Sequence, residues 1–315
     1  MIPLLILALS SAPAPARPLA ADTTPVADSV PALDYRPVPG FLTLPPSLNF
    51  GEVSSVEATP DGHLFVFHRG AQPLVEFDAA GRFVRSYAEG LVTHPHGVRV
   101  DAGGNIWLTD DETHHVLKLD PAGHVRMVLG RRGKSGDSLY YGEMLFNRPT
   151  DVAVAPNGDI YVADGYGNSR VVELDRDGRF LLAWGTKGTG PGQFNVPHSV
   201  VIDASGRVIV ADRENGRIQV FDADGRFLAQ WGGVGKPAWL DLSPDGSRLF
   251  VADGANGRVL EMDLQGRVLG AFGRTGKASG QMDLVHGLAV GPHGEVYTAE
   301  ILDWRTQKFV PAPRR

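Results

Sequence analysis

Six copies of one short pattern run through this chain, and that repetition limits the possible folds more than any other feature. The copies are HLFVFHRG (63–70), NIWLTDDE (105–112), DIYVADGY (159–166), RVIVADRE (207–214), RLFVADGA (248–255) and EVYTAEIL (295–302). Each follows a short apolar stretch and a Gly-containing turn. Five lead into a further stretch ending in Asp: VEFD (75–78), LKLD (117–120), VELD (172–175), VFD (220–222) and EMD (261–263); the sixth has KFV (308–310).

The unit at 196–227 shows what one copy can form. Val200 and Ile202, then Val208 and Val210, then Ile218 and Val220 alternate with polar residues, the period of a half-buried strand. Asp203–Gly206 and Asp222–Gly225 are turn sequences. One such sheet cannot bury both of its faces, whereas a closed ring of six can, with few open edges. At about 43 residues and four strands per copy, the chain is expected to be all-β, a six-bladed β-propeller. The sixth copy stops short of a fourth strand, and the segment near 40–50 is expected to supply it. The expected layout is a signal peptide at 1–21, a Pro-rich leader or linker at 22–40 and the propeller at 41–315.

Ile2–Leu9 is apolar, too short to span a bilayer, and followed by small residues that offer cleavage sites. No Lys or Arg precedes it, so a frayed Pro/Ala-rich tail is the alternative. The first reading implies export to the periplasm or the extracellular space. No later segment has the length and apolarity of a transmembrane helix. The net charge of −6, with no basic run, argues against a nucleic-acid partner. Without cysteine there is no disulfide, thiolate metal site or cysteine nucleophile, so His, Asp, Glu or backbone oxygen must hold any metal. Nothing in the chain calls for an oligomer, and a monomer is expected.

Aligning the opening of each unit gives VSSV (53–56), PHGV (95–98), PTDV (149–152), PHSV (197–200), PAWL (237–240) and VHGL (285–288). The second position reads Ser54, His96, Thr150, His198, Ala238, His286. Innermost strands line the channel of a propeller, so His96, His198 and His286 on alternate blades should face a common centre. Three imidazoles with an open position is a catalytic zinc arrangement. A lone His at a strand start is usually structural; three in threefold register are not so easily explained away. The other histidines, His63, His68, His94, His114, His115, His124 and His293, lack this register and read as surface or loop residues.

The residue after the second strand is Arg69 in blade one and Arg213 in blade four, and Tyr166 follows one place later in blade three. That loop opens on the face where the inner strand begins, so all three should ring the metal. Arginine offers a fork suited to a carboxylate. Nearby positive charge favours a phenolate, which makes Tyr166 a candidate base. The Gly- and charge-rich insertion at 130–149 either shapes the binding mouth or is a solvated loop. The Asn-x-Arg runs at 168–170, 215–217 and 256–258 read as turn architecture.

FHRG (67–70), PHGV (95–98), PTDVAV (149–154), DGYGNSR (164–170), PGQFNVPHS (191–199) and VADRENGRIQ (210–219) resemble the peptidyl-α-hydroxyglycine α-amidating lyases, six-bladed propellers of the NHL-repeat class. The similarity runs from about residue 50 through nearly the whole chain. It implies a lyase that splits a peptidyl-α-hydroxyglycine into an amide and glyoxylate. It also implies zinc on His96, His198 and His286, a catalytic Tyr166, and Arg69 and Arg213 in the active site. A structural calcium is implied as well, on the carbonyls of Val56 and Val98 and an aspartate directly after the third histidine. Here that position is Gly287, and two neutral carbonyls without a carboxylate hold calcium poorly. The rival readings are a non-catalytic NHL propeller that binds protein or peptide, and a calcium-dependent propeller such as a lactone hydrolase.

Overall fold

In the computed structural model, which describes residues 30–140 and 143–312, six four-stranded antiparallel sheets stand around a channel. The stretch read as a signal peptide, 1–21, lies outside the described residues. The inner strands are Val53–Ala58, Pro95–Val100, Asp151–Val154, Pro197–Ile202, Pro237–Leu242 and Val285–Val290. The second strands end at His68, Asp110, Asp164, Asp212, Asp253 and Glu300.

The alternation seen in the sequence divides each blade between two neighbours. Val201 and Ile209 of blade four pack with Leu240 and Leu249 of blade five, whereas Val200 and Val208 pack with Tyr161 and Ala163 of blade three. Six apolar clusters result, each spanning one blade-to-blade interface. Each fully buried Val, Leu or Ile in them stabilises the ring by about 1.5–3 kcal/mol.

Blade six takes its outer strand from the N-terminal side, but not from 40–50. Tyr35–Pro37 pairs with Arg305–Pro311, so the closing strand lies inside the Pro-rich segment. Three residues on a sheet edge carry no alternation to read, and proline is tolerated there because an edge strand can leave its N–H side unpaired.

The Asn-x-Arg turns close blades three, four and five through a buried aspartate. Asp164 accepts from Asn168 and Arg170, Asp212 from Asn215 and Arg217, and Asp253 from Asn256 and Arg258, at 2.7–2.9 Å. The other carboxylate oxygen accepts the backbone N–H of Asn147, Asn195 or Lys236. Blade one has His68 in this role, its Nδ1 accepting from the Gly51 N–H at 3.1 Å. His68 and His115 are therefore buried strand residues, not surface or loop ones.

Candidate metal centre

Proline or valine opens five of the inner strands, and the residue after it is squeezed out of the ladder. The register shifts between Val53 and Ser55, Pro95 and Gly97, Pro197 and Ser199, Pro237 and Trp239, and Val285 and Gly287. Ser54, His96, His198, Ala238 and His286 are thus the extra residues of β-bulges, devices that re-aim a side chain. The bulge sends the three imidazoles into the channel. Their ring centroids lie 4.7, 4.8 and 4.8 Å apart, nearly an equilateral triangle.

The odd-numbered blades set the tautomer. His96 Nδ1 lies 2.6 Å from the carbonyl oxygen of Thr150, His198 Nδ1 2.6 Å from that of Ala238, and His286 Nδ1 2.7 Å from that of Ser54. A carbonyl only accepts, so each Nδ1 carries the hydrogen and each Nε2 keeps its lone pair. Burial pushes His96 down to about 4 and holds His198 and His286 well below the ordinary histidine range. Three neutral imidazoles, each fixed by an outer hydrogen bond, fit a divalent transition metal ion. Among the described residues they are the one trio of His, Asp or Glu side chains whose ligand atoms converge, all within 4.8 Å of one another.

Tyr166 stands over this triangle on the four-residue helix Gly165–Asn168, with its hydroxyl 3.0 Å from His198 Nε2 and 3.2 Å from His96 Nε2. One hydroxyl hydrogen serves only one of the two lone pairs at a time, leaving the other free for a ligand. Arg213 Nη1 donates to the Tyr166 hydroxyl at 3.3 Å, while its Nε donates to Glu214 at 3.0 Å. Arg69 sits on the other flank, donating to Glu52 at 2.6 Å and to the Pro95 carbonyl beside His96 at 3.3 Å. Its charge reaches His96 and His286. All six side chains singled out by repeat register therefore gather at one mouth.

A third arginine joins them that register did not select. The Arg148 guanidinium lies 4.6 Å from the centre of the Tyr166 ring, nearer than that of Arg213 at 5.3 Å. It comes from the end of the insertion after blade two, which is pinned to blade three by Arg170 bonds to the carbonyls of Asp137 and Leu145. Asp111 holds Arg148 at 2.7 Å and His94 at 2.5 Å. Burial raises the Asp111 carboxyl, but the hydrogen bonds with His94 and Arg148 help to outweigh it, and the group stays well below the usual carboxylate range. Asp111 occupies in blade two the place of Arg69 and Arg213, so that row carried the signal.

Val56 and Val98 are buried on inner strands. Position 287 has no space for a side chain as it stands: a Cβ there would come 2.9 Å from Ser55 Cα and 3.0 Å from Ser54 O, the carbonyl that accepts from His286.

The NHL repeat family model matches residues 93–119, 146–174 and 194–221, in blades two, three and four. The chain is 36% identical over 213 residues to peptidylglycine alpha-amidating monooxygenase of Rattus norvegicus, covering 56% of this chain and 21% of that one. It is 34% identical over 197 residues to a probable peptidyl-alpha-hydroxyglycine alpha-amidating lyase of Caenorhabditis elegans, covering 54% and 55%. NHL repeat-containing protein 3 of Homo sapiens is 37% identical over 168 residues, covering 49% and 47%. The chain thus spans about a fifth to a half of the length of these relatives. A streptogramin B lyase structure superposes with a TM-score of 0.60 at 15% identity, covering 89% of this chain and 97% of that one, a likeness of fold alone. The protein is a six-bladed propeller with NHL repeats in blades two, three and four and with homologues named as amidating lyases.

Proposed function

We propose that this propeller is a zinc-dependent carbon–nitrogen lyase that cleaves peptidyl-α-hydroxyglycines to an amide and glyoxylate, acting as a monomer after export. The observation that carries this reading is the placement of the Tyr166 hydroxyl. It lies within 3.2 Å of two inward imidazole lone pairs and within 3.3 Å of an arginine. The names of the nematode and rat relatives support it.

Zinc on His96, His198 and His286 supplies Lewis acidity towards a substrate oxygen when bound. Arg213 and Arg69, on opposite flanks of the triad, hold and orient the carboxylate through charge-assisted bonds. Tyr166 takes the hydroxyl proton. The C–O bond becomes a carbonyl as the C–N bond breaks, and the departing amide nitrogen regains a proton. Arg148 and Arg213, packed over the phenol ring, hold it in place above the imidazoles. The route consumes no oxidant and no nucleotide.

Elemental analysis of the purified protein and glyoxylate release from α-hydroxyhippurate test the reading together. One zinc per chain with equimolar glyoxylate and benzamide is expected. Zinc-loaded protein that leaves α-hydroxyglycine compounds intact would overturn it.

A further inference from the structure

Below the imidazoles the channel is closed by a cation that the chain carries itself. Arg99, three residues after His96, runs inward across the axis. Its Nε and Nη2 bind both oxygens of Asp151 in blade three, at 3.1 and 2.7 Å. Nη2 also donates to Ser199 Oγ of blade four at 3.2 Å and to the Leu240 carbonyl of blade five at 2.9 Å. Nη1 faces Glu57 of blade one at 3.8 Å and Asp241 of blade five at 3.7 Å. The guanidinium lies 4.5 Å from the centre of the Trp239 ring, whose far edge would come 3.0 Å from a Cβ at Gly97. Asp241 in turn accepts the Val290 N–H of blade six at 2.8 Å. One side chain therefore ties together all six blades.

We propose that the Arg99 guanidinium is the permanent axial cation of this propeller, so that the protein binds one metal ion, at the three histidines, and no structural calcium. The calcium implied by the resemblance needs a carboxylate at position 287, and the glycine there is packed against Ser54 and Ser55. The carboxylates lower in the channel do not converge as ligands do among the described residues, and each already faces Arg99. Asp151 gives both of its oxygens to Arg99, and the two oxygens of Asp241 accept the Leu242 and Val290 N–H groups at 2.9 and 2.8 Å, so these carboxylates are already engaged within the protein. The site also lies directly under the metal centre. Asp151 follows Thr150, Ser199 follows His198, and Trp239 follows Ala238, and these neighbours are a ligand and two of the carbonyl acceptors. Arg99 is in this sense a positioning residue for the imidazole triangle.

The test needs no assay of the proposed lyase reaction, so it succeeds or fails separately from that reading. Zinc-loaded wild-type protein is titrated with calcium chloride by calorimetry, and its melting is followed with and without millimolar calcium. No stoichiometric heat and no shift in melting are expected; tight one-to-one calcium binding would overturn the proposal. Arg99→Met leaves buried carboxylates uncompensated and is expected to lower the melting temperature by roughly 10 °C. Calcium should restore part of that loss, which simple misfolding would not show, and zinc affinity should fall roughly 10–100-fold. An Arg99→Met protein as stable as wild type and blind to calcium would also overturn it. If that variant does not fold, Arg99→Lys decides: it keeps the charge without the fork, and its melting should fall between wild type and the onset of insolubility, with no response to calcium. A calcium response in the lysine variant would count against the proposal.

Discussion

Two levels of one channel, a few residues apart along the same strands, solve the problem of buried polar groups in opposite ways. At the upper level three lone pairs point at each other with no internal cation between them. At the lower level carboxylates from blades one, three and five face a guanidinium from blade two. The lower level is complete with protein atoms and acts as a brace. The upper level instead presents three converging ligand atoms that could hold a metal ion.

The contrast breaks most sharply at the ligands. His198→Ala should abolish metal binding and turnover together, a loss larger than the roughly 10–100-fold attached to an outer partner of a ligand. Its melting temperature in the metal-free state should stay close to that of metal-free wild type. Metal content and glyoxylate release measure both halves, and a variant that still holds zinc would remove His198 from the site. Next in size, Tyr166→Phe should keep its zinc and lose about 10²–10⁴-fold in turnover, the usual worth of a positioned base. Equal turnover would take the tyrosine out of the chemistry.

The smallest effect sharpens the comparison through a histidine that lies in neither level. His68 must accept from the Gly51 N–H, and burial pushes it down to about 4. The folded protein then binds fewer protons than the unfolded chain between about 6.5 and 4, so stability falls as pH falls through that window. With about 1.4 kcal/mol per pH unit, this one group contributes a loss of up to about 3 kcal/mol. His68→Asn, which offers a permanent acceptor, should show a flatter melting profile over the same range. Zinc should leave the His68 contribution unchanged, which separates it from protonation of the ligands.

Repeat register alone was enough to select the six mouth residues, because equivalent positions of a propeller share a height around the axis. It could not show why alternate positions vary. Ser54, Thr150 and Ala238 look unrelated as side chains, yet what matters there is the backbone carbonyl, which every residue has. The β-bulges behind the triangle were equally hidden, since an extra residue shows only once strands are paired. Arg148 was missed because it lies in an insertion with no counterpart in other blades. Arg99 was legible in principle: Glu57, Arg99 and Asp241 fall in one row, and opposite charges in one row of a ring must meet. His68 was misread because it stands where four of the other blades have aspartate and blade six has glutamate, a substitution that keeps the acceptor while changing the residue type.

The pairing of Tyr35–Pro37 with Arg305–Pro311 has a consequence for synthesis. A nascent chain can assemble its sheets one after another as they leave the ribosome, but Tyr35–Pro37 can enter its sheet only once Arg305–Pro311 has been made. Ring closure through this pair therefore requires the sixth blade, and so does the upper triangle, whose third imidazole, His286, lies on it.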